Sequence, residues 1–87
     1  MKIIYHKIFL KSFKKLSSKD KETVKNTIGA FSKNPFDKKL RNHALKGRMQ
    51  DKRAISVKGN FRIIFVEQDE YLIVIMLDLG KHNRVYK

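Results

Sequence analysis

The chain has 87 residues, enough for one domain with a single modest core and too few for a second beside it. Its 21 Lys and Arg stand against 8 Asp and Glu, a net charge of +13, so the expected partner is a polyanion, nucleic acid before an anionic membrane surface. There is no cysteine, no stretch approaches the roughly 20 apolar residues that span a bilayer, and "MKIIYHKIFL" is interrupted by His6 and Lys7, so the reading is a cytoplasmic protein without disulfides, signal peptide or membrane span.

In chain order, "KIIYH" at 2–6 is a short apolar run read as a strand. Leu10, Phe13 and Leu16 at three-residue spacing, with Phe9 and Phe13 at four, predict a first amphipathic helix. Ser17 or Ser18 offers an N-cap for a second helix, in which Val24, Ile28 and Phe31 recur on one face. That helix should stop before "KNPFD", because Pro35 disfavours helical geometry at Asn34, and the segment on to Gly47 is loop or short helix.

From residue 53 the period changes to two. Ile55 and Val57, then Ile63 and Phe65 against Ile64 and Val66, then "YLIVIML" at 71–77 predict three strands, joined by "VKGN" and "EQDE", connections short enough for antiparallel neighbours. The last strand is apolar on both faces and belongs inside the sheet, with helices on one side and the first strand's neighbours or a partner protein shielding the other. A short basic tail, "GKHNRVYK", closes the chain. The expected fold is α+β, ordered β-α-α-β-β-β over residues 1–87 as a single domain, with most aromatics in the core.

The chemistry-bearing residues are few. Three separated histidines and no cysteine give no metal-ligand spacing, and the glycines stand alone, without a P-loop or nucleophile elbow. No cofactor is expected. What remains is imidazole, fixed cations and an aromatic, which suits cleavage of an RNA phosphodiester. There the 2′-hydroxyl is the nucleophile, and the protein supplies a base, an acid and positive charge for the phosphorane. Imidazole exchanges protons near neutral pH, and the planar, always charged guanidinium matches a phosphate.

Two stretches, "HALKGRMQDKRAISVKGNFRIIF" and "LGKHNRVYK", resemble the RelE/ParE superfamily of toxin proteins, in particular its YafQ-like branch. The first follows that branch's His, x, Leu, x, Gly and Arg-led hairpin, the second its Gly, x, His with an aromatic four residues on. The resemblance covers nearly the whole chain and implies a ribosome-dependent messenger-RNA endonuclease of a type II toxin–antitoxin system, silenced by a cognate antitoxin. By that resemblance His43 and His82 fall on catalytic histidines, Tyr86 on the C-terminal catalytic aromatic, and Arg62 on the phosphate-contacting arginine of RelE-like relatives. The branch's other functional histidine and aspartate are here Ser56 and Asn60, and two of its tryptophan positions are Met49 and Phe61. Loss of one imidazole is then offset by Arg62 and the neighbouring cations.

Lys46, Arg48, Arg53, Lys58, Lys81 and Arg84 are the candidate RNA contacts, with Arg53 and Arg62 on adjacent strands expected to flank one phosphate. His43 has the alternative of capping or packing its loop, Tyr86 that of closing the core's edge, and His6 reads as structural. The rival functions are a ParE-like gyrase inhibitor and a catalytically inactive RNA- or ribosome-binding module.

Overall fold

The computed structural model describes residues 1–85, for Asn83 and Arg84 in the backbone alone. Strand β1 (Lys2–Tyr5) leads into helices α1 (Lys7–Lys14) and α2 (Ser18–Lys33), followed by strands β2 (His43–Ala44), β3 (Arg53–Lys58), β4 (Phe61–Gln68) and β5 (Ile73–Lys81) and a last turn of helix, α3 (His82–Val85).

Local chemistry punctuates the helices. His6, in extended backbone, accepts from the Ile8 N–H through Nδ1 at 3.1 Å and so caps α1, a structural role for that imidazole. Ser17, not Ser18, caps α2, its Oγ accepting from the Asp20 N–H at 3.1 Å. The helix ends at Lys33, with Asn34 already extended ahead of Pro35.

The strands form one sheet ordered β1-β5-β4-β3-β2. The three long strands are an antiparallel meander, and β1 returns parallel to β5, which places the most apolar strand inside. The segment before β3 and the tail differ from the sequence reading. The segment before Gly47 holds a two-residue strand, β2, paired with Arg53 and Ala54. The expected basic tail starts inside β5 and continues as α3.

The final strand also begins later than its apolar run. Asp69, Glu70 and Tyr71 all have left-handed backbone, φ 53°, 54° and 70°. The Tyr71 N–H donates to Glu67 Oε1 at 3.0 Å, which holds Tyr71 in the turn and out of the strand.

The principal core lies between the helices and one face of the sheet, where Phe9, Phe31, Phe65, Ile55, Ile63 and Met76 are buried. Phe9 and Phe13 turn inward from α1, whereas Leu10, expected on the buried stripe, is 49% exposed: an eight-residue helix has one inward face, and the four-residue pair occupies it. The second face is covered by a smaller cluster, Ala54, Ile64 and Val85 of α3 with Leu45, Met49 and Leu77. In place of the expected neighbours of the first strand, the chain's own loop and last helix supply this cover. Among the described residues no helix is long and apolar enough to cross a membrane.

Candidate active site

Side chains alternate across a strand, so the two clusters fix which residues share a face. Ile55, Ile63 and Phe65 face the helices, and Ala54 and Ile64 face the opposite side. Ser56 and Arg62, paired across β3 and β4, therefore lie on the second face, with Gly80 of β5 beside Arg62. His43 joins them, because its register partner is Ala54. At about 4.8 Å between strands, His43 is about 10 Å across the sheet from Arg62 and about 7 Å along it, within reach of one nucleotide held between them.

The β3–β4 turn presents Arg62. Gly59 adopts φ +48°, a conformation that favours glycine, and turns its carbonyl back toward the strand. Arg62 Nη1 donates to Gly59 O at 2.6 Å, to Ser56 Oγ at 3.2 Å and to Phe61 O at 3.2 Å. A guanidinium has five N–H groups, and the three on Nε and Nη2 make no hydrogen bond within the described residues. One edge of the fork is pinned by the protein while the rest remains for an anion.

His43 is exposed, and its Nδ1 lies 2.8 Å from the carbonyl of Arg41, a residue in left-handed backbone. A carbonyl only accepts, so the contact is a hydrogen bond when Nδ1 carries the proton. The neutral ring then offers a bare Nε2 as a proton acceptor. His82, also exposed, opens α3, and its backbone N–H donates to Asn60 O at 2.7 Å. Arg62 thus stands in the sheet between the strand bearing His43 and the segment bearing His82.

Lys46 and Arg48 are exposed on the loop whose Leu45 and Met49 seat on this same face. Three other candidate cations do not join them. Arg53 shares the helix face with Ile55, so it cannot flank the phosphate that Arg62 would hold; its Nε donates to Asn42 Oδ1 at 2.8 Å instead. Lys58 pairs with Asp20 of α2 at 2.6 Å, and Lys81 lies opposite Phe61, again on the helix side. Tyr86 and the side chain of Arg84 lie outside the described residues.

Sequence reading missed two supporting contacts. Ser56 stands in the sequence pattern only as a lost imidazole, yet its hydroxyl steadies Arg62; a register shift between Ser56 and Lys58 brings the two opposite each other, and no local pattern in the sequence signals that shift. Asn60 contributes its backbone carbonyl, which any residue supplies. Desolvation raises the Tyr5 phenol above its ordinary range, but Tyr5 packs on Phe9 at β1, away from this face. Among the described residues no group of three or more His, Asp or Glu is arranged to hold a metal ion.

Residues 1–87 match the family model described as the bacterial toxin of type II toxin–antitoxin system, YafQ. Among solved structures, the chain is similar to YafQ from E. coli strain BL21(DE3), with TM-score 0.82, 18% identity, and 98% of this chain and 97% of that one covered. It is likewise similar to the E. coli DinJ-YafQ toxin-antitoxin complex, with TM-score 0.79, 17% identity, and 98% and 96% covered. A third similar structure is a copper-bound mutant toxin from Helicobacter pylori, with TM-score 0.75, 24% identity, and 98% of each chain covered. At these identities the structural likeness speaks for the fold. A comparison with curated proteins returns no match.

Proposed function

Since the chain belongs to the YafQ family of type II toxin–antitoxin toxins, we propose that it is a metal-independent endoribonuclease that cuts messenger RNA on the ribosome and is held inactive by a cognate antitoxin. The observation that carries this reading is the convergence of His43 and the half-pinned Arg62 on one sheet face, with His82 at its margin. Complexes of related toxins with their antitoxins, such as DinJ-YafQ, support the partner.

In this mechanism the 2′-hydroxyl attacks the adjacent phosphorus and a 2′,3′-cyclic phosphate forms as the 5′-oxygen leaves. His43 takes the 2′-hydroxyl proton on Nε2, because its Nδ1 is committed to Arg41 O. His82 gives a proton to the leaving oxygen. The unused edge of Arg62 holds the non-bridging oxygens as charge builds on the phosphorane, with Ser56 and Gly59 preventing the fork from swinging away. Lys46 and Arg48 attract the backbone to this face. Tyr86 is proposed to stack on a base of the codon.

Induced alone, the protein should stop growth and protein synthesis, and co-expression of the adjacent reading frame should restore both. Normal growth with soluble protein accumulating would count against the toxin reading, and gyrase-dependent DNA breaks would point to a ParE-like activity instead.

A further inference from the structure

Phe36 is out of keeping with the other phenylalanines. Phe9, Phe31 and Phe65 are buried and Phe13 and Phe61 partly so, yet Phe36 is 60% exposed on the loop after α2. It is nevertheless held in place. Its ring meets Tyr71 edge-on at 5.2 Å, and Tyr71 contacts Phe31 and Phe65, so Phe36 is the outer end of an aromatic chain rooted in the core.

Asn42 locks the surroundings. Its Nδ2 donates to Pro35 O and to the Tyr71 hydroxyl, each at 3.0 Å, and its Oδ1 accepts from Arg53 Nε, which sets the Arg53 guanidinium 6.0 Å from the Phe36 ring centroid. The exposed cations Lys33, Lys38, Lys39 and Arg41 bracket the ring in sequence, and the one acid among them, Asp37, is occupied in accepting from the Lys39 N–H.

We infer that Phe36, with Arg53 beside it, is a stacking platform for an unpaired base of single-stranded RNA. An ordered, solvent-facing ring flanked by a guanidinium and by lysines combines a surface for any base's π-face with charge for the adjoining phosphates. A greasy peptide would need further apolar surface, and beyond the Tyr71 ring the groups bracketing Phe36 are cations. The location connects it to the active face: Arg53 pairs with Ala44 and the next residue, Ala54, with His43, so the two faces meet at the two-residue edge strand β2. A single strand crossing that edge passes from Phe36 to His43. The inference rests on the chain acting on RNA, and it extends the contact area beyond the cleavage site.

The test is fluorescence anisotropy of the full chain with a labelled 12-nucleotide single-stranded RNA carrying 2′-O-methyl sugars, which cannot be cut. Phe36→Leu and Phe36→Ala should weaken binding about 5- to 140-fold, the loss of one stacked base at tenfold per 1.4 kcal/mol, while Phe36→Tyr stays within about twofold of the parent. The salt dependence should not change, because no charge is removed, and binding of a duplex of equal length should not depend on Phe36. Parental affinity in Phe36→Leu would overturn the inference. So would an equal loss on single strand and duplex, or lost antitoxin protection with RNA affinity intact, which would make the ring a protein contact. Stacking that persists while messenger RNA survives the parent protein would instead defeat the nuclease reading and leave the platform standing.

Discussion

Arg62 and His43 carry different halves of the proposed reaction, and their surroundings explain how each would fail. Replacing Arg62 by lysine keeps the charge but loses the planar fork that Gly59 O and Ser56 Oγ hold, so Arg62→Lys should recover little of the activity lost in Arg62→Ala, which is set at about 2.7–4 kcal/mol of barrier. His43→Ala removes an exposed base and should slow cleavage roughly 10²- to 10⁴-fold with an unchanged melting temperature. Single-turnover cleavage rates and thermal melts check both, and a slow His43→Ala that also melts early would assign the imidazole to its loop. These residues could be named from the sequence because their types and order resemble a known pattern. Which of them face each other could not, since Arg53 and Arg62 differ only in strand parity, and parity needs the register that the turn imposes.

Helices and meander follow from local rules, and mutants should respect the same boundaries. Ser17→Ala removes the α2 cap and should cost about 1 kcal/mol, whereas Phe65→Ala opens the core beneath both helices and should cost about 3–5 kcal/mol in denaturant unfolding. Comparable losses in the two would mean that the cap carries more than one helix end. Ser17 and Pro35 are local punctuation, so the ends of α2 are legible. The parallel return of β1 onto β5 and the two-residue β2 are pairings between distant segments with no local signature, and the late start of β5 depends on a left-handed Tyr71 that no apolar pattern encodes. The covering of the second face by α3 is hidden for the same reason: Val85 is buried only because the chain doubles back after Lys81.

At the scale of the whole molecule, the net charge of +13 is spread over the helices, the loops and the candidate site. Ribosome association should therefore weaken steeply and linearly on logarithmic axes as salt rises, and co-sedimentation indifferent to salt would deny the electrostatic footprint. Removing one or two site residues leaves most of that charge in place, so binding and cleavage can be separated. The measurement that bears most directly on the account is messenger cleavage in a purified translation system, comparing the parent with a His82→Ala, Arg62→Ala double variant that still co-sediments with ribosomes. The parent should cut the messenger within the ribosome-bound codon and leave a 2′,3′-cyclic phosphate, and the double variant should bind without cutting. Cleavage by the double variant at the parental rate, or an intact messenger with the active parent, would contradict it.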